Sequence, residues 1–174
     1  TQKRLFMKVL LSAFACDPCF GSDEEVGWRW ALGLAKLGHS VSVITRASHQ
    51  QEIEKYSRET GIDGDITFHY VDIPALHRVL SKINRRNHIY YYFWQIAAYR
   101  KAKSLHKRQA YDLVHHVTWV SFRQPSFMGL LGIPFVFGPV AGGDEIPGGY
   151  IDDFSFSQKL VEYVRWFANA LVRF

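Results

Sequence analysis

The sequence predicts an α/β fold built on a mostly parallel, doubly wound sheet, and three observations carry that expectation. Residues 8–46 read as strand, loop, helix and second strand, which implies a right-handed crossover between parallel neighbours. Further apolar runs at 66–71, 112–117 and 134–139 alternate with helical patterns. Glycine-bearing loops follow the first and the last of these runs, at Gly21 and at Gly142-Gly143. Sheets of this kind bind ligands beyond the carboxyl ends of their strands, so those loops are where function is sought.

Each element has its own signal. The run 9–14, Val-Leu-Leu-Ser-Ala-Phe, is a buried strand entering the loop Cys16-Asp17-Pro18-Cys19-Phe20-Gly21-Ser22. Ser22-Asp23-Glu24-Glu25 fits a capping box, with Ser22 as N-cap and Glu25 reaching back. Val26, Trp30, Ala31, Leu34 and Leu37 then recur at helical spacing and should face the sheet, Gly27 and Gly33 allowing close approach, until Gly38 caps the helix. Residues 41–45 form the second strand, 49–60 a polar helix and 66–71 the third strand, which Pro74 closes. A helical region spans 76–110 with a break near 84–87, and 112–117 is the fourth strand. A short helix at 122–131, stopped by Gly132, leads to the fifth strand at 134–139. The last helical pattern, from 156, reaches residue 174 without a stop signal, so the chain reads as one domain, 1–174, cut from a longer protein.

Composition narrows the class. The chain has 174 residues, 48% of them hydrophobic, enough for a real core and against disorder. No apolar run approaches the ~20 residues of a membrane span and no leader pattern opens the sequence, so the expected location is cytoplasmic. The net charge of +5 is uneven: nine bases and no acid lie between Arg78 and Arg108, leaving twelve bases against sixteen acids elsewhere. Such a patch suits one anionic partner surface. Arg85, Arg86, Lys101 and Lys103, interleaved with aromatics such as Trp94, suit a membrane headgroup region, which would make the protein peripheral on the inner face. Nucleic acid is not expected, because no recognition motif accompanies the bases.

Three further groups could carry chemistry. Free amides at the helix start after Gly21-Ser22 can hold a phosphate, and Gly21 removes the side chain that would block approach. His115 and His116 close the fourth strand, where alternation sends them to opposite faces, so at most one reaches a given cleft and they make a poor metal pair. Gly142, Gly143 and Asp144 follow the fifth strand, where backbone amides can face a ligand. No metal or cofactor is called for. Cys16-Asp17-Pro18-Cys19 leaves open a thioredoxin-like redox reading, although no helix starts directly after it.

Pro18-x-x-Gly21-Ser22-x-x-x-Val26-Gly27-Trp28, followed by Leu34-Ala35-x-Leu37-Gly38-His39-x-Val41-x-Val43-Ile44-Thr45, resembles the amino-terminal domain of glycosyltransferase family four. Residues 112–118 and 138–143 are similar to that family's fourth and fifth strand ends. The resemblance implies a Rossmann-like domain, one half of a retaining two-domain GT-B enzyme. Such an enzyme moves a hexosyl unit from a nucleotide-sugar to a hydroxyl acceptor, here a cell-envelope glycan or a lipid-linked acceptor. It further implies that Gly21 and Ser22 approach the donor diphosphate. His116, or His115, would touch the transferred sugar, while the Gly142-Gly143-Asp144 loop lines the acceptor cleft. Many relatives have two glycines in the first loop, whereas Phe20 precedes Gly21 here. The family's paired glutamates, at a fixed spacing, belong to the donor-binding second domain. No two glutamates here have that spacing, so the 174-residue chain alone is expected to be inactive. A non-catalytic Rossmann-type binding module is the other alternative.

Overall fold

The computed structural model describes residues 6–62, 66–80, 86–144 and 146–172. Five strands, β1 (Lys8–Ser12), β2 (Ser40–Arg46), β3 (Ile66–Val71), β4 (Leu113–His116) and β5 (Phe135–Phe137), form one sheet in the order β3-β2-β1-β4-β5. Every pairing is parallel, with Leu11 level with Val43 on one side and with His115 on the other. Strand order reverses between β1 and β4, so their carboxyl ends flank the crevice where such sheets take ligands. This is the doubly wound, Rossmann-like α/β architecture that the sequence predicts.

The crossovers are α1 (Asp23–Lys36), α2 (Gln50–Thr60, led in by a 3-10 turn at Ala47–His49), α3 (Pro74–Leu80) and α4 (Arg86–Gln109). Pro74 opens α3, where its missing N–H costs nothing, rather than merely closing β3. The expected helix at 122–131 is only a 3-10 turn, Phe127–Leu131, ended by Gly132 at φ +75. Alternation along β1 sends Leu10 and Phe14 to one layer with Tyr91, Trp94, Ala98 and Met128, and Leu11 to the other with Trp28, Ala31 and Ile53. Both faces are therefore covered, as an all-parallel sheet requires.

Two local expectations for α1 are corrected. The buried face is Gly27, Trp28 and Ala31, with Val26 and Leu34 at its margin, whereas Trp30 and Leu37 are 41% and 60% exposed. The helix is turned so that Gly27 meets the loop after β1: a Cβ there would lie 2.2 Å from the Ala15 carbonyl oxygen. Gly33 faces open space instead. At the other end Gly38 is at φ +88, its N–H donates to Ala35 and that of His39 to Leu34, which completes a Schellman cap.

The chain divides into two compact units, Thr1–Trp119 with Ser126–Gly138, and Val120–Pro125 with Pro139–Phe174. The first holds the whole sheet. The second contains α5 (Gly148–Ile151) and α6 (Phe156–Val172).

Candidate functional site

At the carboxyl edge of the sheet the ladder continues beyond the strands, with the Ala13 N–H on Ile44, Val117 on Ser12 and Gly138 on His116. The loops after β1 and β4 are then tied across the switch point by the Ala15 N–H, which donates to the Thr118 hydroxyl at 3.1 Å. Gly21 is exposed and meets no heavy atom within 4 Å of a built Cβ. Gly21, Ser22 and both strand-end histidines thus belong to one rim of one unit.

Ser22 is the N-cap of α1, but the expected capping box is absent. Its φ of +64 and ψ of −134 turn the hydroxyl away, no side-chain cap bond forms, and Glu25 pairs with Arg29 at 3.0 Å instead. That backbone region belongs essentially to glycine, and a serine there stores about 1–3 kcal/mol of strain. Ser22→Gly is therefore expected to stabilise the protein by about 1 kcal/mol, part of the relief being offset by a looser unfolded chain. An ordinary N-cap serine loses a few tenths by the same change. Urea denaturation of the two proteins reads the sign directly.

Sequence reading missed the group that holds this loop. Asp17 and His49 are buried, and His49 Nδ1 lies 3.1 Å from Asp17 Oδ2. Arg46 donates to His49 Nε2 at 2.8 Å and to the Phe14 carbonyl at 3.0 Å, its guanidinium 4.3 Å above the Phe14 ring. Arginine can only donate, so Nε2 accepts and the proton sits on Nδ1, facing Asp17. Burial, then the Arg46 charge, push the His49 pKa down, against the pull of Asp17, which keeps the ring neutral. Asp17 Oδ1 also accepts the Cys19 N–H at 2.9 Å. The signal available in sequence was an aspartate between loop cysteines and a histidine just past a strand, too common a pattern to select. Asp17→Ala strands the buried His49 N–H and frees the Cys19 N–H, and should cost about 2 kcal/mol, read from the urea midpoint.

Neither cysteine is a stabilised thiolate. Burial raises the pKa of Cys16, and Asp17 adds to it. The exposed Cys19 is also raised, and its thiol donates to Glu52 at 3.8 Å. Low-pKa redox chemistry therefore finds no support here.

The two histidines do point to opposite faces. His115 donates from Nε2 to the Gly138 carbonyl at 2.8 Å and meets Trp30 edge-on at 4.7 Å. His116, wholly buried, faces the α4 layer. Its Nε2 is 3.1 Å from the Thr118 carbonyl and 2.9 Å from the Tyr91 hydroxyl, and its Nδ1 is 2.7 Å from the Ser126 hydroxyl. A carbonyl only accepts, so Nε2 carries the proton and Nδ1 takes that of Ser126. Burial pushes this pKa down to about 4. With no exposed surface, His116 is closed to direct contact with a ligand in this arrangement.

On α4, Lys101 and Lys103 are exposed, but Trp94 is not the surface residue that its sequence context suggests. It is fully buried and its indole N–H donates to Val71 at 2.9 Å. Helical periodicity turns it inward, leaving Ile89, Tyr92, Phe93 and Ile96 outside, and Arg100, Lys103 and Lys107 continue that stripe. Arg85 lies outside the described residues, and Arg86 opens the helix.

In the second unit, Gly142 is at φ +87, and a Cβ on Gly143 would meet the Phe122 ring at 3.3 Å. Arg123 donates to Asn169 of α6 at 2.7 Å, and Asn169 donates to the Gly142 carbonyl at 3.3 Å. Asp144 lines a cavity of about 300 Å³ together with Ile151, Lys159, Tyr163 and Trp166. Among the described residues no three His, Cys, Asp or Glu side chains group as metal ligands, and no helix is long and apolar enough to cross a membrane.

A family model, Glycosyltransferase Family 4, matches residues 24–172, well over half of the chain. The match begins at Glu24, so β1 and the Gly21-Ser22 loop precede it. No curated protein matches the chain.

Proposed function

This chain belongs to Glycosyltransferase Family 4, and from that premise we propose that its protein transfers a hexosyl unit from a nucleotide-sugar donor to a hydroxyl acceptor, with retention at the sugar carbon. The acceptor is a cell-envelope glycan or a lipid-linked precursor, met on the cytoplasmic side of a membrane. The observation that carries the reading is the joint rim: an open glycine loop at the start of a fourteen-residue helix, beside the histidine-bearing strand across the switch point. Gly21 and Ser22 offer unhindered amides and the positive end of α1 to the diphosphate. Catalysis then depends on holding the reactants and on stabilising charge as the diphosphate leaves, and it calls on no metal or cofactor. His116 and His115 belong to the sugar side of that rim. Gly142, Gly143 and Asp144 form the acceptor loop, and the cavity beside Asp144 supports that assignment.

In this reading the outer stripe of α4 rests on an anionic membrane, its apolar half at the headgroup boundary and its basic half on lipid phosphates. Each base contributes about 1 kcal/mol there. Reversing the charges of Arg100, Lys103 and Lys107 should abolish flotation with anionic liposomes, and flotation retained by that variant ends the membrane part of the reading. The transfer itself is tested with the protein expressed in its gene's full reading frame, supplied with a panel of nucleotide-sugars. Release of a nucleoside diphosphate, with an anomer of unchanged configuration in the product, is expected. A protein that neither binds nor cleaves any nucleotide-sugar leaves only a binding module.

A further inference from the structure

Trp119 is the residue at the switch point that the chemistry above leaves unused. It follows the Thr118 hydroxyl that ties the two loops together, and its φ is +58, a region that bulky residues enter only when their surroundings impose it. Several contacts impose it here. Thr118, 1% exposed, gives its hydroxyl to the Ala15 N–H and its carbonyl to His116. The indole packs against Phe14, Tyr91 and His88, with ring centres 4.8, 5.6 and 5.6 Å away. Filling the core does not require this backbone, because Trp94 occupies the middle of the same cluster from an ordinary helix. What the strained turn achieves is position: the ring stands on the aromatic cluster at the carboxyl edge, with part of its surface open, beside the exposed His88.

We propose that Trp119 is the stacking platform for the ring of the acceptor sugar, and that His116 and Thr118 are positioning residues that hold it there. The proposal rests on the sugar-transfer reading above and assigns a residue to the acceptor. A pyranose has a face of C–H bonds that packs on an indole while its hydroxyls stay free for polar partners, which suits a half-open aromatic at a polar rim. Toward the acceptor sugar His116 acts through the Thr118 carbonyl, without touching that sugar.

The test uses the protein in its full reading frame, labelled with fluorotryptophan. The Trp119 fluorine line is identified by its loss in Trp119→Phe. Methyl pyranosides of glucose, galactose, mannose and N-acetylglucosamine are then titrated at millimolar concentration. A saturable shift of the Trp119 line with at least one of them is expected, with the lines of buried Trp28 and Trp94 unmoved. Trp119→Leu should weaken that sugar about tenfold, the scale of one stacking contact, while Trp119→Phe keeps most of the affinity. His116→Gln should move the Trp119 line in the sugar-free protein. A Trp119 line unmoved by every glycoside overturns the proposal, as does wild-type affinity in Trp119→Leu; should that variant not fold, the wild-type titration decides alone. Nucleotide-sugar turnover separates the two failures. If turnover persists while Trp119 is silent, the platform falls and the transferase stands; if there is none, the underlying reading falls too.

Discussion

Gly27→Ala is expected to destabilise this protein by about 2–3 kcal/mol, although the same change at Gly33, in the same helix, should stabilise it by up to about 1 kcal/mol. Helix propensity favours alanine at both positions by the same amount. The difference lies in what the new methyl meets: the Ala15 carbonyl oxygen at 2.2 Å and the Ala13 Cβ at 3.2 Å for Gly27, and nothing within 4 Å for Gly33. Backbone cannot rotate aside as a flexible side chain can, so α1 must lift off the sheet or the loop at 13–15 must move. Either response strains the bond from the Ala15 N–H to Thr118 and loosens Trp28 against Phe68, stacked at 5.8 Å. For a domain of this size the loss corresponds to a fall of roughly 5–10 °C in melting temperature. Thermal melts of both variants give the signs, and amide exchange at Ala15 shows whether the loop is where the structure gives way. A Gly27→Ala protein as stable as the parent would mean that the helix–loop contact is looser than a 2.2 Å approach to the Ala15 carbonyl implies.

That contrast also marks what the sequence could and could not tell. The strands were legible because a parallel sheet covered on both faces demands short apolar runs bounded by glycine and proline, and the runs around Leu11, Val43 and Val114 have that character. Both Gly27 and Gly33 fitted close packing, and only the rotation of α1 about its axis separated them. Trp28 and Trp30 posed the same problem: residues two apart lie about 200° apart on a helix, and the helical stripe containing Trp30 was the better-populated one in sequence. Trp94 was misplaced because an aromatic among bases has no sign of its own, and its inward turn follows from the Ala98 and Ala102 spacing on α4.

The candidate site was legible to the level of loops and not of side-chain roles. Gly21, Ser22 and the two histidines could be assigned to one rim from strand order alone, since each follows a strand at the same end. Their orientation depended on partners distant in sequence: Ser126 and Tyr91 for His116, Gly138 for His115. The Asp17–His49–Arg46 group was beyond reach for the same reason, its members being 32 and 3 residues apart and joined only when β1 and β2 pair. Ser22 misled differently. The four residues Ser-Asp-Glu-Glu satisfy a capping rule, yet the chain enters α1 through a glycine-like turn that the rule does not foresee.

Acidification should show that His116 stabilises the fold only while neutral. In the unfolded chain a histidine titrates near 6.5, whereas burial holds His116 down to about 4 in the folded protein. Between those values the unfolded state binds a proton that the folded state refuses. Its contribution is complete above about pH 6.5 and is lost as pH falls through about 4, a change on the order of 3 kcal/mol. Hydrogen bonding is not what opposes the charge, since the Ser126 hydroxyl can turn to accept from a protonated Nδ1 and Nε2 already donates to Thr118. Desolvation under Tyr91 and Phe137 opposes it. His49, His69 and His115 are shifted in the same direction, so the wild-type slope belongs to all four. The His116 share is isolated by His116→Gln, which keeps a side-chain donor for the Thr118 carbonyl but cannot titrate. The variant should be the less stable protein at neutral pH, and its deficit should shrink steadily as urea midpoints are followed down to about pH 4. Parallel pH profiles for the two proteins would mean that His116 titrates alike in the folded and unfolded chain. The buried neutral imidazole would then no longer account for how the turn bearing Trp119 is held.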